Sequence, residues 1–284
     1  MAQYNGGTSW TRHTDYFLKE NGYNTTGTSM ATSAASGYAG VGGQGVTLIS
    51  NRHVLMAGHV SALWGTTIIS ASINIAAQYP ITVYFVNNDN TMFTYTIDSA
   101  ANVATISGDP DISIGYLNTT VDASLSFYKV IPSDFLSYIQ NGSIYSGNQF
   151  ISPYLPVFYM DGGDGASTNK RTWCGNLQYI CDICTSDILY YVRPIAGAKY
   201  NNSQAIVGGD SGNIIFIPIN NEIVILGTWY QSPVSPGAGN PGDDLGVSSF
   251  ITPNISAINS AMTTLAGTSY SLTQANLSGF KTYV

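Results

Sequence analysis

Between residues 45 and 130 the chain alternates apolar and polar positions in short runs: VTLIS, HVLMA, ITVYFV, TMFTYTI, NVATIS, DISIGYL and SLSFYKVI. A period of two puts successive side chains on opposite faces of a strand, so these runs predict antiparallel strands with one buried face. NNDN at 87–90 reads as a hairpin turn between two of them. After the connection IPSDFLSYIQNGS a second set follows, QFISPYLPVFYM, YICDIC, DILYYVRPI, QAIVGG, NIIFIPI and EIVILGTWY, interrupted by the loop DGGDGASTNKRTW. Asn220-Asn221 between the last two runs is a favourable two-residue hairpin turn.

The pattern changes period only once, late in the chain. After the Gly/Pro-rich loop SPVSPGAGNPGDDLG, the segment TPNISAINSAMTTLAG has a Thr cap, a Pro in its first turn, apolar residues at helical spacing and a terminal Gly. The expected organisation is an N-terminal arm over 1–40, a first β unit over 41–135, a second over 136–250, a helix over 251–266 and a tail over 267–284. The arm, rich in Gly, Thr and Ser with one short amphipathic stretch at DYFLKENGY, is expected to pack on the strands or on a partner. The tail SYSLTQANLSGFKTYV is expected to meet a partner.

Chemistry concentrates in three places. IVGGDSGNIIFIPI presents Ser211 among Gly208, Gly209 and Gly212, whose freedom at positive φ lets two successive amides converge on one small space. GVTLISNRHVLMAGHV, residues 45–60, reads as strand, turn, strand and a small-residue bend ending on His59. In SGDPDISIGYL, residues 107–117, Asp111 opens a strand just after Pro110, which favours it over Asp109, with Asp98 and Asp122 more distant rivals. A serine hydroxyl is a poor nucleophile at neutral pH, so it needs a general base beside it and donors for the oxyanion it creates. His53 follows the Asn51-Arg52 turn and is read as structural.

His59, Asp111 and Ser211, in that order, together with GDSG, resemble the chymotrypsin-like serine protease family, of bacterial or viral type. The resemblance implies an all-β fold of two six-stranded antiparallel barrels with a C-terminal helix and terminal extensions, for which about 200 residues suffice. It implies a serine endopeptidase acting on a polypeptide through an acyl-enzyme. Ser211 would be the nucleophile, His59 the base, Asp111 its orienting carboxylate, and the Gly209 and Ser211 amides the oxyanion hole. It also implies substrate contacts at Ala205, at the base of the specificity pocket, and at Tyr230, Gln231 and Ser232, where an extended peptide would add to the strand edge. No cofactor or metal is implied.

The chain departs from the family pattern at Asn213 and Ile214, where a small residue and proline usually follow, and at Tyr230-Gln231, where Ser-Trp is usual. A neutral Ala205 speaks against a pocket for Arg or Lys. Asp210 leaves two possibilities open: it is held by a donor within an unprocessed chain, or the chain is a precursor whose oxyanion hole is partly formed.

Composition narrows the partners. The net charge is −7 with no Lys/Arg run, so a phosphate backbone would be repelled and nucleic acid is not expected. No apolar stretch approaches the roughly 20 residues of a membrane helix. Charged residues are only 9%, and solubility rests on Asn, Ser, Thr and Gly. Such a surface, with no signal peptide visible, suggests an extracellular or virion-associated setting. The alternative to an enzyme is a structural or binding component of a virion or extracellular assembly that keeps the protease fold, with arm and tail meeting other subunits. Cys174, Cys181 and Cys184, an odd number far in sequence from the three histidines, read as a local disulfide or buried thiols rather than a zinc site.

Overall fold

The structure, a computed structural model, describes residues 2–4, 10–12, 17–29, 31–33, 45–58, 72–73, 81–103, 111–138, 143–145, 148–161, 169–181, 188–194, 203, 205–206, 210–231, 244–278 and 280. From the N-terminus these form β1 (Ala2–Tyr4), β2 (Trp10–Arg12), a single helical turn α1 (Phe17–Glu20), β3 (Ala31–Ser33), β4 (Thr47–Leu48), β5 (His53–Ala57), β6 (Ser72–Ile73), β7 (Ile81–Val86), β8 (Met92–Asn102) and β9 (Ile112–Leu117). Then come β10 (Lys129–Val130), a 3-10 turn at Phe135–Tyr138, β11 (Ser143–Tyr145), β12 (Asn148–Asp161), β13 (Asn169–Cys181), β14 (Ile188–Val192), β15 (Ile214–Ile219), β16 (Glu222–Gln231) and β17 (Asp244–Phe250). A second 3-10 turn, Thr252–Asn254, leads into α2 (Ile255–Ala266).

The fold is mostly β, in antiparallel sheets with one C-terminal helix, as the alternating pattern predicts. One sheet runs β3-β7-β8-β9-β5-β4, with β6 beside β8, and stays open among the described residues. In the other, β12, β15, β16, β17, β14 and β13 follow one another, and β12 also pairs with β13, so the ladder returns on itself. β1 and β2 extend this sheet from β13, while β3 is an edge strand of the first. The N-terminal segment thus supplies strands to both sheets. Arg12 seals the connection: buried, it donates from Nε to the Val86 carbonyl at 2.7 Å and from Nη1 to Thr25 Oγ1 at 2.8 Å.

Three cores hold the layers. Val46, Leu48, Val54, Met56, Val83 and Phe85 fill the first sheet, and Tyr159, Leu177, Tyr191, Ile217, Leu226 and Trp229 fill the ring of the second. The third lies between them, where Leu55, Ile112 and Ile114 meet Ile214, Phe216 and Ile225, with Ile258 and Met262 of α2 closing one side.

Several elements differ from the sequence reading. Of SLSFYKVI only Lys129–Val130 is strand, and it pairs in parallel with Val224–Ile225 of β16, in the second sheet rather than the first. Phe127, in the same run, is 52% exposed. Asn169–Trp173, read as loop, begins β13. β17 was unforeseen because Asp244, Gly246, Ser248 and Ser249 interrupt its apolar pattern, yet the two serines are buried between neighbouring strands. Thr252 does not cap α2: it opens the 3-10 turn, and Asn254 takes the cap position. Gly267 ends the helix at φ 66°, its N–H reaching the Thr263 carbonyl at 3.0 Å. The tail expected to meet a partner is largely used at home, since Leu272, Ala275 and Leu277 are buried in the chain's own cores.

Candidate active site

β5 carries the chain to Gly58, the residue before His59 in sequence. Its partner β9 runs antiparallel with Ala57 opposite Ile112, which brings Gly58 to the level of Asp111. The approach is tight: a Cβ on Gly58 would stand 3.0 Å from Asp111 Oδ1 and 3.3 Å from the Ile112 nitrogen. The Asp111 carboxylate therefore lies against the residue that precedes His59. His59 itself, Gly209 and Ser232 lie outside the described residues.

Ser211 arrives at the same place from the second sheet. Asp210-Ser211-Gly212-Asn213 is a β-turn closed by the Asn213 N–H on the Asp210 carbonyl at 3.1 Å. Gly212 has φ 81°, the value a type II turn demands at its third position, where only Gly sits without strain. A Cβ there would run into the Gly45 carbonyl and come within 3.3 Å of the Ala57 nitrogen. The Gly45 N–H donates to the Ser211 carbonyl at 3.1 Å. Asp111 thus lies against Gly58, and Gly212 of the Ser211 turn against Ala57.

β16 clamps the turn from behind. Gly212 N–H donates to the Trp229 carbonyl at 3.0 Å, and Trp229 N–H to the Asn213 carbonyl at 2.9 Å. The Trp229 ring is fixed in turn, edge-on to Tyr159 and Tyr191 with centroids 5.2 Å apart in each pair. Of the four turn residues only Ser211 escapes full burial, while Asp210 is 1% exposed.

Comparison of the sequence with protein-family models and with curated proteins gives no match.

The remaining predicted positions distribute as follows. Ala205 is half-buried beside Ile206, whose N–H donates to the Leu245 carbonyl of β17 at 3.2 Å. Trp229 pairs with Ser248 and Gln231 with Val247, so Tyr230 is the extra residue of a β-bulge, a device that re-aims a strand beside a site. Pairing of β16 with β15 ends at Thr228, and among the described residues no strand covers that edge at Gln231.

His53 serves elsewhere. Met262's carbonyl can only accept, so Nε2 carries the proton toward it at 3.1 Å, and Nδ1 accepts from the Ser50 hydroxyl at 2.8 Å. Desolvation lowers its pKa to about 4, opposed by the Met262 bond and aided by nearby Arg52. A ring spent on both nitrogens and wholly buried cannot act as a base. Cys174 is a free, half-buried thiol, pushed up to about 11 by burial. A disulfide then has only Cys181 and Cys184 to use, and Cys184 lies outside the described residues. Among the described residues no group of His, Cys, Asp and Glu could hold a metal, and no helix is long and apolar enough to cross a membrane.

Sequence reasoning missed Gly45 and Asn213. Asn213 showed only as a departure from a motif, and Gly45 as one more glycine before a strand.

Proposed function

We propose that the chain is a chymotrypsin-like serine endopeptidase, its two β units forming the paired barrels of that family. The observation that carries this reading is the meeting of Asp111 and the Ser211 turn on Ala57-Gly58, which leads directly into His59. Two segments far apart in sequence, at Asp111 and at Ser211, thereby come to the residues just before His59, which is the order of parts the triad needs.

In this reading His59 takes the Ser211 proton as Oγ attacks the scissile carbonyl, and returns it to the leaving amine. Asp111 holds the imidazole tautomer and stabilises the imidazolium. The Gly209 and Ser211 amides receive the oxyanion, and the peptide lies along the uncovered edge of β16 at Tyr230, Gln231 and Ser232, its side chain toward Ala205. The low-charge, Asn- and Thr-rich composition supports an extracellular or virion-associated setting. A purely structural role has less support, since Leu272, Ala275 and Leu277 of the tail are buried in the chain's own cores.

Labelling by a fluorophosphonate probe tests the reading. Folded wild type is expected to label at Ser211, with labelling lost in Ser211→Ala and His59→Ala. Folded wild type that takes no label at neutral pH, or takes it on another residue, sinks it.

A further inference from the structure

The peptide joining Asp210 to Ser211 is held by more than its turn requires. Its carbonyl accepts from the Asn213 N–H at 3.1 Å and again from Asn213 Nδ2 at 3.0 Å. Asn213 is 1% exposed, so its carboxamide donates where water does not compete. The next peptide is pinned at both ends, its carbonyl by Gly45 and its N–H by Trp229. Gly45 and Asn213 are matched in shape: a Cβ on Gly45 would fall on the Asn213 carboxamide and stand 3.0 Å from its Cα.

A trans peptide points its carbonyl and its N–H in opposite directions. Two donors that draw the Asp210 carbonyl toward Asn213 therefore direct the Ser211 N–H the other way. A turn closed by one main-chain bond could rotate this peptide plane by exchanging φ and ψ across it. The second bond from Nδ2 opposes that rotation, because rotating would break two hydrogen bonds to the Asp210 carbonyl instead of one.

We propose that Asn213 is a positioning residue: its carboxamide locks the Asp210–Ser211 peptide in the orientation that presents the Ser211 amide to an oxyanion. The inference rests on the protease reading. It gives the departure from the usual small residue a purpose, and it makes Gly45, whose lack of a side chain leaves room for Asn213, a requirement of the site.

The test compares wild type, Ser211→Ala, Asn213→Ala and Asn213→Ser by rate of fluorophosphonate labelling and by hydrolysis of a p-nitrophenyl ester, with folding checked by circular dichroism. Losing an oxyanion donor outright costs about 10²- to 10³-fold in kcat, so loosening one is expected to slow Asn213→Ala about ten- to hundredfold. The loss should fall on kcat with KM kept, and the pH profile of kcat/KM should not move, because His59 and Asp111 are untouched. Asn213→Ser keeps a hydroxyl donor and is expected to recover most of the rate. A folded Asn213→Ala that labels within twofold of wild type overturns the inference, as does a rise in KM with kcat unchanged. Should Asn213→Ala not fold, Asn213→Ser decides: wild-type labelling upholds the lock, and a folded variant slowed more than tenfold overturns it. A wild type that never labels at Ser211 removes the protease reading instead, a result distinct from equal labelling of wild type and variant.

Discussion

Gly212 carries two constraints at once. Its φ of 81° belongs to the left-handed region, and its Cα is turned toward the Gly45 carbonyl and the end of β5. Gly212→Ala would add left-handed strain of about 1–2 kcal/mol and drive a methyl into backbone that cannot yield as a side chain would. A loss of at least about 2 kcal/mol is expected in urea unfolding, with fluorophosphonate labelling falling alongside. An unchanged midpoint would mean the turn opens away from Gly45 with little energy. At this scale the sequence reveals residues whose identity is itself a signal, as in GDSG. It hides those that act through a backbone group: Asn213 works on a carbonyl three residues back, and its room is provided by a glycine in the other half of the chain.

At the scale of elements, His53 fastens the β4–β5 hairpin to the C-terminal helix. Its proton bonds Met262 of α2, its other nitrogen takes the Ser50 hydroxyl, and Tyr116 and Tyr270 close over it with centroids 5.1 and 4.6 Å away. Its folded pKa of about 4 lies below the ordinary 6.5, so between those values the unfolded chain binds a proton that the folded chain refuses. Stability should therefore be level above about pH 6.5 and fall on acidification toward pH 4, by a limit on the order of 3 kcal/mol. Urea midpoints across this range should slope for wild type and flatten for His53→Gln. Parallel slopes would assign the acid sensitivity to other groups. Elements with local signals were legible: Asn220 and Asn221, at φ 50° and 62°, form the two-residue turn expected of them. β17 was not, because its strand character comes from neighbours on both sides rather than from an apolar alternation of its own.

The whole molecule depends on the core between its sheets, since Ile112 follows Asp111 and Ile214 lies just beyond the Ser211 turn, both packed in it. Nothing local in the sequence announces a shared core, which is why two β units could be read along the chain but not their joint. The tail belongs to this level. Val130 N–H donates to the Thr273 carbonyl and Ala275 N–H to the Val130 carbonyl, both at 2.9 Å, so the tail joins β10 through one parallel bridge at Gln274. Leu272 enters the shared core, Leu277 enters the core of the second sheet, and Phe280 packs on Phe135 with centroids 6.4 Å apart. Leu272→Ala and Leu277→Ala should each cost about 2–5 kcal/mol, the range for emptying a buried leucine. Removing residues 272–284 should cost more than either, because the pairing with Val130 is lost as well. If the tail served only a partner, the shortened chain would keep its urea midpoint and lose only binding. A lowered midpoint would show instead that the tail is part of the fold itself, through Leu272 and Leu277.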